Sequence, residues 1–226
     1  MTGRLLPQTA LTRAQRALML ALMQEHFVGV SAERFDLDLA EKNWVILLED
    51  ERGQVRGFST QLLYTTEVDG KQVRVVYSGD TIVHRDARGS NALARTWVEA
   101  VYTWQSDVPL YWLLITSGFR TYRFLSVFWK EFWPRYDSPA LPTILIALAG
   151  EQFGSRYDPA TGIVRFAEPQ VLGNGLKEIP PNRLGDPHVD FFARVNPGHA
   201  RGDELVCLCP LTRANQTRAG RKLLTL

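Results

Sequence analysis

The spacing of apolar positions changes several times along this chain, and each change marks an element. From Ala17 through Leu18, Leu20, Ala21 and Leu22 toward Phe27 the apolar residues recur at helical spacing, and Thr12-Arg13-Ala14-Gln15 reads as a capping box opening that helix. Ser31 caps a second helix that carries Phe35, Leu37 and Leu39. The period then shortens, and Trp44 to Leu48, Val55 to Tyr64 and Val73 to His84 read as strands. The first two are joined by a turn at Glu51-Arg52-Gly53. The second and third are joined by Val68-Asp69-Gly70-Lys71, whose Asp-Gly is a strong hairpin signal, so an antiparallel meander is expected.

The chain next turns through Arg88-Gly89-Ser90-Asn91 into a helix reaching about Trp104, followed by a strand from Leu110 to Thr116. Phe124, Phe128, Trp129 and Phe132 at helical spacing predict a helix from Phe119 to Trp133, stopped by Pro134. Beyond Pro142 the pattern loosens. A helix from Thr143 to about Phe153, a strand near Ile163 to Phe166 and a Pro/Gly-rich stretch from Pro169 to Pro187 come first. A short helix with Val189, Phe191 and Phe192 and a strand from Glu204 to Leu208 follow. No internal repeat or low-complexity run is present.

With 226 residues, 45% of them hydrophobic and 22% charged, the chain has material for one sizeable core. Its net charge of +2 gives no general attraction to nucleic acid or membrane, although Arg213, Arg218, Arg221 and Lys222 make the last turns basic. No apolar run reaches ~18 residues and the N-terminus lacks a secretory pattern, so a cytoplasmic protein without a membrane span is expected. Cys207 and Cys209 share one strand face in ELVCLCPL and read as a buried pair. Zinc would need two further ligands, and only His188 and His199 are near in sequence, so no metal is expected.

The stretch SGDTIVHRDARGSNALARTWVEAVY, Ser78 to Tyr102, carries the strongest functional signal. A strand that ends in a small-residue turn at a helix start leaves several N–H groups pointing the same way, which suits a phosphate or pyrophosphate. Two helices, a meander, this turn with its helix, then a strand and another helix resemble the GNAT acyltransferase superfamily. Val83-His84-Arg85-Asp86-Ala87-Arg88-Gly89 is similar to that family's strand exit.

The resemblance implies an α+β fold: a mixed, mainly antiparallel sheet flanked by helices. An acyl-CoA-binding core would occupy residues 1–136, and a C-terminal extension, 137–226, would complete the sheet and help bind the acceptor within one structural domain. It further implies acyl-CoA as co-substrate, with the pyrophosphate on the turn and pantetheine between splayed strands. The residues so implicated are Ile82, Val83, His84, Arg88, Gly89, Ser90, Asn91 and Ala92, with Arg120 and Arg123 from the later helix. Transfer to an amine needs orientation, a base and a donor for the thiolate. Asp80, a carboxylate in the middle of the otherwise uncharged run Val75 to Val83, is the candidate base, and Tyr122 the candidate acid. His84 shares the Asp80 face by alternation but lies ~13 Å along the strand, too far for contact. Asp80 could instead pair with an arginine such as Arg74.

The aromatic stripe points to the donor. Phe119, Phe124 and Phe128 could line a fatty acyl chain, each buried methylene contributing ~0.8 kcal/mol. The wording SGFRTYRFLSVFWKEFWPRY resembles GNAT-like maturases that attach fatty acyl groups to side-chain amines of ribosomally made peptides. The acceptor implied is an amine on a peptide precursor or a small molecule, toward which Asp186, Asp190, Asp203 and Glu204 could draw a cation. A non-catalytic acyl-CoA-binding module, or an acyltransferase fed by acyl carrier protein, fits the same signals. The sequence does not set the oligomeric state.

Overall fold

The structure, a computed structural model, describes residues 1–173 and 175–223. Eight strands form one sheet. In chain order these are β1 (Thr2–Pro7), β3 (Trp44–Glu49), β4 (Val55–Val68), β5 (Lys71–Val83), β6 (Leu110–Thr116), β7 (Tyr157–Asp158), β8 (Ile163–Val164) and β10 (Glu204–Pro210). The short strands β2 (Phe27–Val28) and β9 (Val171–Leu172) pair separately. The spatial order is β1-β3-β4-β5-β6-β10-β8-β7, and among the described residues only the β5/β6 neighbours run parallel. The expected mixed, mainly antiparallel α+β fold is therefore present, with helices on both faces of the sheet. The strands expected near 163 and 204 both join the sheet, β10 against β6 and β8 against β10.

Local rules explain most elements. Helix α1 (Arg13–His26) opens on the expected capping box, with Thr12 and Gln15 satisfying each other's backbone N–H. Helix α2 (Ala32–Ala40) begins on the Ser31 cap. Asp69 and Gly70 both take positive φ, 51° and 73°, as the two-residue hairpin between β4 and β5 requires. Helices α3 (Ala92–Thr103), α5 (Thr143–Phe153), α6 (Pro187–Val195) and α7 (Arg218–Lys222) complete the frame with α4 (Phe119–Phe128).

Two expectations are corrected. The helix predicted to Trp133 stops at Phe128, because Trp129 and Trp133 form bridges to Gln216 and Leu208 and leave the helical path. Strand β1, unexpected from the sequence, edges the sheet by pairing Thr2–Pro7 with Trp44–Glu49.

The sheet divides the core. One face packs Trp97, Val98 and Val101 of α3, the α4 residues Phe119, Tyr122 and Leu125, and α6 over Ile46, Val76, Trp112, Leu114, Cys207 and Cys209. The other face is covered by α1 and α2 over Val45, Leu47, Phe58 and Ile82, and by α5 over Val75, Tyr77, Leu113 and Val206. Both cysteines are free and buried, as alternation predicted. Among the described residues no helix is long and apolar enough to cross a membrane, and no His/Cys/Asp/Glu group could hold a metal.

Candidate functional site

Strands β5 and β6 pair from Arg74↔Leu110 to Ser78↔Leu114 and then part, while β5 stays on β4 as far as Gly57↔Val83. The β6-facing edge of Gly79 to Val83 consequently has no strand partner among the described residues. A fault in the ladder lies at the point of parting: Gln61 pairs Ser78 and Ser59 pairs Thr81, so Gly79 and Asp80 together oppose Thr60. Such a bulge re-aims a side chain. Strict alternation would leave Asp80 on the Ser78 side, under α3; the bulge turns it to the α2 side. Gly79 is required there, since a Cβ would stand 2.7 Å from Thr60 Oγ1 and 2.8 Å from Lys42 Cε.

The groups around Asp80 are unusual for a protein interior. Burial, and then the Asp38 carboxylate, raise its pKa to about 6, against the opposing pull of Lys42 and Arg34. Glu204, at the start of β10, is pushed up to about 8 by burial and by Asp80. No described residue donates a hydrogen bond to either carboxylate. The buried Tyr77 hydroxyl, held well above its ordinary range by burial, senses both. The Lys42 side chain is buried, donates from Nζ to Asp38 O at 2.9 Å, and stands 5.5 Å from the Tyr77 ring centre. Thr60 Oγ1 is buried without a hydrogen-bond partner among the described residues. Half-buried, unpaired carboxylates with raised pKa values are suited to taking protons near neutral pH.

The opposite side of the opening is cationic. After His84 the chain makes one tight turn, and Ala92 N–H is held by Ser90 Oγ at 3.2 Å, while Asn91 provides no side-chain cap for α3. The N–H groups of Gly89, Leu93 and Ala94 have no partner among the described residues. Arg88, Arg120 and Arg183 gather nearby: burial first, then the charges of Arg88 and Arg183, lower the pKa of Arg120. Arg123 is held by Asp186, Nε to Oδ2 at 2.8 Å. A cavity of about 640 Å³ joins Phe119, Phe124, Val127 and Phe128 to Arg120, Arg123 and Arg183. The three phenylalanines expected beside an acyl chain and two of the expected arginines thus line one space.

The remaining expected residues fall elsewhere. Tyr122 is fully buried and its hydroxyl donates to Pro134 O at 2.8 Å, so the expectation of an acid facing the cleft gives way to a packing role. Ile82 packs its side chain beneath α1 and α2, while Val83 carries the end of the unpaired β5 edge. His84 lies on the Asp80 face, as alternation predicted, against Glu25 at 3.7 Å and the ring of His26. Arg74 donates to Trp104 O and is not the partner of Asp80. Lys42 and Arg183 carry no sequence signal for these places, and Glu204, expected among four acidic residues that could draw a cationic acceptor, feels the charge of Asp80 instead of standing apart from it. The signal for Glu204 was present: it alternates with Val206 and Leu208, opposite the two cysteines.

Comparison with known proteins adds partial likenesses. No family model matches the chain, and no curated protein matches it. A conserved protein of unknown function from Enterococcus faecalis V583, described as a probable N-acyltransferase, is 16% identical over 60% of this chain and 37% of its own, with a TM-score of 0.43. A GNAT family N-acetyltransferase from Escherichia coli in complex with CoA is 15% identical over 57% of this chain and 69% of its own, TM-score 0.40. Saccharomyces cerevisiae N-myristoyltransferase with bound myristoyl-CoA is 16% identical over 51% of this chain and 29% of its own, TM-score 0.39.

Proposed function

We propose that the protein is an acyl-CoA-dependent N-acyltransferase with a fatty acyl donor and an amine acceptor on a small molecule or peptide. The observation that carries this reading is the β5/β6 parting, with a cationic turn on one side and unpaired carboxylates on the other. The pyrophosphate would lie on the N–H groups between Gly89 and Ala94, held by Arg88, Arg120 and Arg183. The pantetheine arm would pair with the unpaired β5 edge between Gly79 and Val83, and the acyl chain would enter the cavity beside Phe119, Phe124 and Phe128. The thioester then arrives beside Asp80. There the carboxylate takes the amine proton, the nitrogen forms its bond to the thioester carbon, and the C–S bond breaks to release CoA.

Thermal unfolding of the purified protein with CoA and with acetyl-, octanoyl- and palmitoyl-CoA tests the reading. A melting temperature that rises with chain length, together with mass-spectrometric detection of an acylated amine, is expected. Gly89→Ala adds a methyl that meets nothing within 4 Å, so it should fold normally and weaken acyl-CoA binding. Stabilisation without any acylated product would make the chain a binding module. Activity with acyl carrier protein alone would move the donor to that protein. The absence of any shift or product would overturn the proposal.

A further inference from the structure

The carboxyl ends of β5 and β6 and the amino end of β10 lie at one end of the sheet, the end at which β5 and β6 part. A strap crosses it. Helix α1 runs out against the end of β5, where the His26 and His84 rings are 6.4 Å apart and Glu25 lies 3.7 Å from His84. The chain then enters β2, which pairs antiparallel with β9: Phe27 stands opposite Leu172, Val28 stands opposite Val171, and Gly173 N–H donates to His26 O at 2.7 Å. The β9 side of the strap reaches the other two strand ends. Leu172 lies against Gly118, just past β6, and Pro169 and Val171 lie against Gly202, just before β10. A Cβ at Gly202 would stand 2.7 Å from Pro169 Cβ, and one at Gly118 would stand 3.4 Å from Leu172 Cδ1.

The strap is lightly held for so central a place. Its ladder is two residue pairs long, and even a longer two-stranded pair is marginal by itself. Val28 is 68% exposed, and Phe27, Val171 and Leu172 are only half-buried. Where it rests on Gly118 and Gly202 it meets no side chain that could interlock with it. A short ladder with few buried apolar contacts opens locally at low cost. The unpaired β5 edge from Gly79 to Val83 leads directly to His84, so opening the strap uncovers the wide end of the parting. None of the residues assigned to the pyrophosphate belongs to the strap.

We propose that the β2–β9 strap is a lid on the acceptor side of the parting, which opens to admit the amine and closes over the thioester, and that the acceptor is accordingly a small free amine rather than a peptide. The inference rests on the acyltransferase reading above. A peptide laid across the parting needs the path that the strap itself occupies and holds the lid open, whereas a small amine lets it shut. Closure keeps out water, whose attack on the thioester carbon would release the free acid and CoA without transfer.

A reversible lock tests this. Phe27 and Leu172 are one step along the ladder from the hydrogen-bonded His26 and Gly173, so they form a close, non-hydrogen-bonded pair with Cα atoms roughly 4.5 Å apart, within reach of a disulfide. The double variant Phe27→Cys/Leu172→Cys is locked when oxidised and free when reduced, and the native Cys207 and Cys209 are buried away from it. Oxidation should lower acyl transfer to hexylamine by roughly tenfold or more, leave the thermal shift with acyl-CoA in place, and be reversed by a reductant. In the wild type, hexylamine should exceed a lysine-containing peptide in kcat/KM by roughly tenfold or more. Hydrogen exchange, which needs no substrate, should reach residues 27, 28 and 171–173 before β5 in the wild type and the reduced variant, and be slowed there by oxidation. Equal transfer by the locked and free forms, or strap amides as protected as those of β5, overturns the lid. Loss of the acyl-CoA shift on locking overturns its assignment to the acceptor, because the strap would then guard the donor. Use of the peptide as readily as hexylamine overturns the small-amine assignment and leaves the acyltransferase standing. Early exchange of the strap with neither an acyl-CoA shift nor any acylated product overturns the acyltransferase reading, and with it the strap's role toward an acceptor.

Discussion

The two faces of the β4–β5 pair handle buried polar groups in opposite ways. On the α3 side, Ser78 Oγ donates to Gln61 Oε1 at 2.6 Å, Gln61 Nε2 to Ser59 Oγ at 2.7 Å, and Ser59 meets Thr81 at 2.7 Å. The indoles of Trp97 and Trp112 donate into the same chain at 3.3 and 2.9 Å. On the α2 side, one residue away along β5, Asp80 has no hydrogen-bond donor and Thr60 Oγ1 no partner among the described residues. A complete polar network fixes strand register and costs little to bury, whereas an unpartnered carboxylate is costly unless a ligand engages it. The difference separates a structural device from a chemical one within a few residues of the same strand.

That contrast is open to attack. Asp80→Asn keeps shape and removes the base: turnover should fall by roughly two to four orders of magnitude, with acyl-CoA affinity within about twofold. In the wild type, kcat/KM should climb as pH rises through about 6, where Asp80 loses its proton, and the variant should lack that limb. Unchanged turnover would end the catalytic reading of this face.

The other face is probed by stability. Gln61→Leu leaves Ser78, Ser59 and the Trp97 indole short of partners in a dry core. It should cost about 2–5 kcal/mol, seen as a drop of roughly 10 °C in melting temperature. A loss no larger than that of an ordinary surface substitution would mean the network is dispensable.

A smaller effect comes from Glu204→Gln. The folded pKa of Glu204, about 8, lies above its ordinary value of 4.5, so between those values the folded state holds more protons than the unfolded one. Stability from this group is full below about 4.5 and declines as pH rises toward 8. The glutamine variant lacks that decline and should melt a few degrees higher than wild type above pH 8, the two curves converging in acid. Parallel curves would place Glu204 in water.

How far these features were legible in the sequence follows from how local their causes are. The Thr12/Gln15 box, the Asp69-Gly70 hairpin and the Gly89 turn are written in consecutive residues, and the structure contains each. The end of α4 at Phe128 is not local: Trp129 to Trp133 continue the aromatic spacing, yet the chain is drawn off to bridge Gln216 and Leu208, some eighty residues later. Tyr122 failed as a cleft residue for a similar reason, because Pro134 O supplies its partner. The bulge at Gly79-Asp80 carried a hint, a glycine within a strand, but its direction depends on Thr60 and Lys42. The pairing of β2 with β9 joins residues from distant parts of the chain and has no local pattern.

The position of β10 has a consequence for the order in which the molecule is made. The strand formed by residues 204–210 is not an edge; it lies between β6 and β8. A growing chain that has emerged only as far as α5 therefore has β6 unpaired on one side, an open edge with the sequence Leu-Tyr-Trp-Leu-Leu-Ile-Thr. Such an edge is sticky until its neighbour arrives. Synthesis of this protein thus includes an interval in which this apolar strand waits for the last one, and Glu204 comes under the influence of Asp80 only when that interval closes.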